Sequence, residues 1–156
     1  VNFEQALKTE KISTIVVPTR GITVSRKTTY REVVRQLQET RKFCAIVLDG
    51  KKPVGIFTEA DALKRGLLKE IDPKTPIENV MTANPTVVSM DDSLALAIRL
   101  MHRGRHRHLP VVSADNEFLG LISVRDIVFY LSENYPYDVF NLPPDPHKFS
   151  GAPEGA

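Results

Sequence analysis

The sequence predicts a mixed α/β (α+β) fold in which two β-α-β-β-α units, related by a pseudo-twofold axis, pack sheet to sheet. Three observations predict it. The segment Gly55-Ile56-Phe57-Thr58-Glu59-Ala60-Asp61 returns 65 positions later as Gly120-Leu121-Ile122-Ser123-Val124-Arg125-Asp126, with glycine, hydroxyl and aspartate in step. Upstream of each copy lies a β-branched strand and then an apolar stripe of helical period, here offset by 64 positions. A unit of roughly 55 residues is also too small to bury a sheet and two helices alone. The copies must therefore cover one another.

The elements follow in order. Phe3 to Leu7 forms a helical turn or more. The first strand of each unit is Ile22-Thr23-Val24 or Thr86-Val87-Val88, both β-branched. A helix follows in each, because Tyr30, Val33, Val34 and Leu37 recur at i, i+3, i+4 and i+7, as do Leu94, Ala97, Ile98 and Met101. Thr29-x-x-Glu32 reads as a capping box, and Asp92 or Ser93 caps the second copy. Two strands come next: Ala45 to Leu48 and Val54 to Phe57 about a hairpin at Asp49-Gly50, then Leu109 to Val112 and Leu119 to Ile122 about Asp115-Asn116. Laying Ala45-Ile46-Val47 on Pro110-Val111-Val112 puts the one inserted residue in the loop at Gly104. The last helix of each unit opens at Thr58 or Ser123.

Residues 10–70 and 77–133 thus form the two repeats, with a polar linker at 71–76 broken by Pro73 and Pro76. Five of the 11 prolines fall in the last 24 residues. Proline removes the backbone donor a helix needs, so residues 134–156 are expected as an extended, non-helical arm, docked by Phe140 or Leu142 and disordered past about Phe149.

Composition narrows the function. With 42% hydrophobic and 26% charged residues, the 156-residue chain is an ordinary globular protein. A net charge of +2 does not by itself imply nucleic acid or a membrane surface as partner. No apolar stretch nears the roughly 20 residues of a membrane-spanning helix. With no secretory leader in view, the expected location is cytoplasmic. The single cysteine, Cys44, excludes an internal disulfide or a multi-cysteine zinc site, and its apolar surroundings make it a packing residue. No paired carboxylates, activated nucleophile or glycine-rich phosphate loop suggests an enzyme.

The doubled Gly-h-h-[Thr/Ser]-x-x-Asp junction (h, apolar) carries the functional argument. A hydroxyl three residues before an acid is a helix N-cap and needs no ligand for that role. The same junction suits a nucleotide. A helix start offers unpaired N–H groups and partial positive charge to a phosphate, joined by the Thr58 or Ser123 hydroxyl. The carboxylates of Asp61 and Asp126 have two acceptor oxygens each, enough for both hydroxyls of a ribose. The basic run Arg103-Gly104-Arg105-His106-Arg107-His108 is a solvated loop, a phosphate contact for the second junction or, less favoured, a nucleic-acid patch. His102 and His106 have a helical metal-chelating spacing, but Gly104 weakens the helix and no third ligand completes a site, so no metal is expected.

Residues 10 to 133 resemble a pair of CBS domains, the cystathionine β-synthase repeat, forming a Bateman module. The resemblance rests on Val80-Met81-Thr82, Asn84-Pro85-Thr86-Val87-Val88, Ser93-Leu94-x-x-Ala97-x-x-x-Met101, His108-Leu109-Pro110-Val111-Val112 and Gly120-Leu121-Ile122-Ser123-x-x-Asp126. It implies a regulatory sensor of adenosine nucleotides (AMP, ADP or ATP, with S-adenosylmethionine or NAD in some members) that pairs into disk-like homodimers and acts on a separate enzyme or transporter. It also implies that Asp61 and Asp126 bind ribose, and that Thr58 and Ser123, with Arg125 and His108 beside the second junction, contact phosphate or sugar. Thr19, Ile22, Thr82 and Val87 would line the bases, with Ala45 and Pro110 nearby. The first repeat departs from the family at Val16-Val17-Pro18-Thr19-Arg20-Gly21. Phe43 and His108 stand where nucleotide-binding members often have a phosphate-contacting arginine, so Asp126 is weighted above Asp61. The rival readings are a purely structural dimerisation module with vestigial pockets, and a nucleic-acid-binding regulator using Arg103 to Arg107.

Overall fold

The computed structural model describes residues 2–15 and 20–141, without the side chains of Leu67, Phe140 and Asn141. Helix α1 (Phe3–Thr9) is followed by strand β1 (Ile22–Ser25), helix α2 (Tyr30–Thr40), and strands β2 (Cys44–Asp49) and β3 (Lys52–Thr58). A single α-helical turn, α3 (Glu59–Asp61), runs directly into a π-helical stretch at Ala62–Leu67. The second half contains β4 (Thr82–Ala83), β5 (Val88–Ser89), α4 (Leu94–Gly104), β6 (His108–Val112), β7 (Phe118–Ser123), α5 (Val124–Asn134) and α6 (Pro136–Asn141).

The strands form two sheets, ordered β1-β2-β3-β4 and β5-β6-β7. In each, the first strand runs parallel to the second, and the second pairs antiparallel with the third. The repeat is visible down to the caps. Thr29 and Ser93 accept from the backbone N–H groups of Glu32 and Leu96, and both helices end in a left-handed residue, Arg41 and Arg105. Of the expected capping box at α2, the Thr29 half is present; the Glu32 carboxylate instead bonds Arg35 and Gln36.

Strand register corrects the sequence alignment. Val24 pairs with Val47 and Val88 with Val111, an offset of 64 on both sides. Val47 then faces Gly55 while Val111 faces Gly120, so the offset has become 65 only after the hairpin. The inserted residue therefore lies in the β6–β7 hairpin, not at Gly104. Ala45 corresponds to Leu109, Ile46 to Pro110, and Phe43 to Arg107; the bonds Glu59 N–H to Phe43 O and Val124 N–H to Arg107 O match across the repeats. The slip was invisible in sequence because β2 is buried on both faces. Ala45 and Val47 face the helices of their own repeat, whereas Cys44 and Ile46 meet Leu121 of the other. A strand apolar on both faces lacks the alternation that would fix its register.

That second face of β2 forms the sheet-to-sheet contact, where Cys44, Ile46 and Leu121 are fully buried and Leu48, Ile56 and Phe118 surround them. Burial pushes the Cys44 thiol up to about 12, so it is a protonated packing group near neutral pH. The Phe118 N–H also bonds the Lys51 carbonyl in the first hairpin, stitching the repeats at their tips. That hairpin turns on Gly50-Lys51, one residue later than expected, with Gly50 at φ 61° and Lys51 not left-handed, the signs of a type II′ turn.

Each repeat also borrows its opening segment. Ile12, although it opens repeat 1, is fully buried in the core of repeat 2 with Leu94, Leu109 and Ile122. Ile77 and Val80, at the start of repeat 2, lie in the core of repeat 1, and Thr82–Ala83 adds the edge strand β4 to its sheet. Isolated bridges at Lys11–Ser93 and Thr29–Pro76 mark the two crossings.

The C-terminal expectation is corrected for residues 136–141, which are helical. Pro136 occupies the first position of α6, where its missing N–H costs nothing and its fixed φ suits a helix. Tyr135 and Val139 pack on the repeat 2 core, and Tyr135 meets Phe3 edge to face with ring centroids 6.0 Å apart. The rest of the arm, with Leu142, lies outside the described residues.

Candidate functional site

The site begins at the two strand-to-helix junctions. At the second, Ser123 and Asp126 form a complete capping box. The Ser123 N–H and Oγ–H donate to Asp126 Oδ2 at 2.9 and 2.8 Å, and the Asp126 N–H donates to Ser123 Oγ at 3.1 Å. Thr58 and Asp61 reproduce it at 2.9, 3.0 and 3.2 Å. The capping reading of the motif is therefore realised in both repeats. One consequence corrects the chemistry expected of the hydroxyls. The single proton of Ser123, and that of Thr58, is committed to the aspartate, so neither hydroxyl is a free donor to a phosphate.

Each aspartate keeps Oδ1 outside its box. Asp126 is 6% exposed and its Oδ1 forms an ion pair with Arg20. Asp61 is half-buried, with no ion pair among the described residues. His108 lies close to this pair. Burial holds its imidazole below the ordinary 6.5, aided by Arg107 and Arg20 and opposed by Asp126, so the ring is neutral at pH 7.

Both junctions open on one cleft of roughly 1110 Å³ between the repeats. That exceeds the usual range of small-molecule pockets. Thr58 and Asp61 of the first junction line it, as do Ser123, Arg125 and His108 at the second, with Thr82 and Pro110 also on the wall. Five cationic side chains line it (Arg20, Lys64, Arg105, Arg107 and Arg125) against two carboxylates, Glu59 and Asp61. The whole chain carries only +2, so the excess of cations over carboxylates in this cleft is not shared by the rest of the chain.

Four other expected site residues do not line this cleft. Ile22 and Ala45 are buried in the repeat 1 core, Val87 is half-buried away from the wall, and Asp126 sits beneath Arg20. Thr19 lies outside the described residues. Conversely, Lys64, Glu59 and Arg20 were not singled out. Nothing in the sequence around Lys64 or Glu59 marks them; Arg20 becomes significant only through its long-range pairing. Register also places Arg107, rather than His108, at the position matching Phe43.

The basic run is ordered by its glycine. The helix α4 stops at Gly104, Arg105 takes a left-handed cap, and the His106 ring folds back over Gly104 to within 3.4 Å of Thr86 Oγ1. His102 therefore stays on the helix while His106 lies beyond its end, which breaks the chelating spacing.

Comparison with known proteins decides the family. The CBS domain model matches twice, over residues 12–67 and 77–133. The chain belongs to the CBS domain family. A CBS domain-containing protein of Arabidopsis thaliana is 33% identical over 115 residues, spanning 72% of this chain but 21% of the relative. The chain thus spans about a fifth of the length of its plant relatives. An uncharacterized 17.7 kDa protein of Acidianus ambivalens is 30% identical, covering 75% of this chain and 70% of that one. Among solved structures, a CBS domain protein from Pyrobaculum aerophilum complexed with AMP superposes with a TM-score of 0.73 at 24% identity, over 85% of this chain and all (100%) of the other. A CBS domain pair complexed with 5′-methylthioadenosine and S-adenosyl-L-methionine gives a TM-score of 0.71 at 22% identity, over 80% and 98% of the two chains. At those identities the likeness is one of fold: a mixed α/β CBS pair. CBS pairs of this kind are generally regulatory rather than catalytic.

Proposed function

We propose that this CBS pair is a non-catalytic sensor of adenosine nucleotides carrying phosphate, of the AMP, ADP or ATP class. The observation that carries the reading is an interrepeat cleft shared by both Ser/Thr-x-x-Asp junctions, with five cations on its wall. Asp61 Oδ1 and, once released from Arg20, Asp126 Oδ1 take ribose hydroxyls. Arg105, Arg107, Arg125 and Lys64 receive the phosphates; guanidinium groups suit such oxygens because they offer paired donors. The Pro110, Ile56 and Thr82 wall accommodates a flat base. The relatives solved with AMP and with S-adenosyl-L-methionine support an adenosine ligand. Charge selects between those two: S-adenosylmethionine carries net positive charge and is disfavoured by this wall, whereas AMP and ATP are favoured.

The partner is a second copy of the chain, as in the disk-like dimers that the family resemblance implies. Helix α5 exposes Val128 and Phe129, and Leu63 is exposed at the position matching Val128 in repeat 1. An apolar residue repeated across a pseudo-twofold axis suits a self-complementary interface. Ligand closure of the cleft would change the angle between repeats and so the dimer face presented to a separate effector enzyme or transporter. Isothermal titration with AMP, ADP, ATP, NAD and S-adenosylmethionine tests the reading, with sedimentation to report the dimer. AMP or ATP should bind tighter than S-adenosylmethionine; no heat and no rise in melting temperature with any of them would sink it.

A further inference from the structure

We infer that Arg20 is a specificity-determining gate that makes the ribose acceptor of repeat 2 available only to phosphorylated ligands. The inference rests on the nucleotide reading above and assigns a role to a residue outside the junction motif.

Asp126 is nearly inaccessible, with its side chain 4% exposed, and every bond it makes is accounted for. Oδ2 serves the capping box through Ser123. Oδ1, the oxygen a sugar would need, is held by Arg20, whose own side chain is 41% exposed and lines the cleft. Arg20 reaches it from the other repeat, ahead of β1. Gly21 permits this approach: a Cβ there would lie 3.1 Å from the Cys44 carbonyl and 3.3 Å from its Sγ. The matching Asp61 carries no ion pair among the described residues, so the two junctions are chemically unlike in the same fold.

A ligand that bonds Asp126 Oδ1 must move Arg20. A nucleoside supplies hydroxyls to the carboxylate but leaves the guanidinium without an anion. A nucleotide supplies both: its phosphate receives the Arg20 guanidinium, while its ribose hydroxyls donate to the Asp126 carboxylate, which keeps its bonds from Ser123, so neither group is left without a hydrogen-bonding partner. Arg107 and Arg20 both act on His108 beside Asp126, and Arg105 and Arg125 line the same cleft, so the displaced guanidinium and the phosphate meet in a region already cationic. Ribose and phosphate recognition are thereby coupled at repeat 2, while Asp61 accepts a ribose without that condition.

The test is calorimetry of the full chain with adenosine and AMP, in an Asp61→Asn background that mutes the first junction. Arg20 should give AMP an advantage of about 30-fold or more over adenosine, the scale of a charge-assisted pair exchanged for another. Arg20→Gln should raise adenosine affinity and shrink that ratio to roughly 5-fold or less, and Arg20→Lys should restore most of it. A ratio unchanged by Arg20→Gln, or adenosine weakened along with AMP, overturns the gate and leaves the nucleotide reading standing. Binding of neither compound to any variant overturns both. On the unsubstituted chain, the Arg20 Nε–H resonance should shift on saturation with AMP and remain near its free position with adenosine; an equal response to both also overturns the gate.

Discussion

Asp126 does two jobs that pull against each other: it closes a helix cap and keeps one oxygen for other use. Replacing it with alanine removes its half of the capping box, with the Ser123 cap bond kept, and leaves Arg20 unpaired, so Asp126→Ala should lower stability by about 1–3 kcal/mol in urea unfolding. AMP affinity should fall at least ~10-fold, the loss of about 1.4 kcal/mol of ribose bonding. Asp61→Ala, at a half-buried site with no described ion pair, should destabilise less. His108 gives a pH signature. Its folded pKa lies below the unfolded value of 6.5, chiefly through burial. The folded state therefore resists protonation, and the stability it contributes is present above 6.5 and lost as pH falls through the lowered value. Urea unfolding between pH 8 and 5 should show stability declining below 6.5, and His108→Asn should flatten that decline.

At the scale of elements, the helix starts were legible because a cap is a local bond between residues three apart. Thr29 and Ser93 occupy the predicted cap positions. Ser93→Ala should cost about 1 kcal/mol, read from the thermal midpoint. The strands were legible in existence but not in register. β6 pairs with β7 one position away from the expected repeat alignment, and only the ladder reveals it. The final helices diverge for a similar reason. Both begin with the same capping box, yet α5 continues for 11 residues while its counterpart passes after three into a π-helical stretch. There Gly66 lies under the Tyr30 hydroxyl, with an added Cβ only 1.9 Å from it. Gly66→Ala must push Tyr30 away from Phe57, its edge-to-face partner at 6.0 Å, and should destabilise repeat 1 by about 1–3 kcal/mol in urea unfolding.

For the whole molecule, the exchange of opening segments ties the repeats into one cooperative body. Ile12 is fully buried among Leu94, Leu109 and Ile122, although all of those belong to the other repeat. Ile12→Ala should cost about 2–5 kcal/mol. Hydrogen exchange should locate the loss in α4, β6 and α5 rather than in α2; protection lost first from α2 would contradict the assignment. The charge distribution is likewise a property of the assembled molecule. Cations drawn from both repeats line one cleft, so nucleotide affinity should weaken as ionic strength rises from 50 to 500 mM, with adenosine affected less.

By itself, the sequence determined the duplicated unit, its helix starts and the two Ser/Thr-x-x-Asp junctions. All of these depend on spacings within one element, where period 3.6 and a three-residue cap leave a local imprint. Tertiary structure alone decided the register of β6, the lending of Ile12 and Ile77 to opposite cores, and the pairing of Arg20 with Asp126. Each of these depends on residues far apart in the chain, or on burial of both faces of a strand, and neither leaves a periodic trace in the sequence. The junctions were visible in sequence as two equal copies. Their inequality was not, because it arises from one guanidinium contributed by the other repeat.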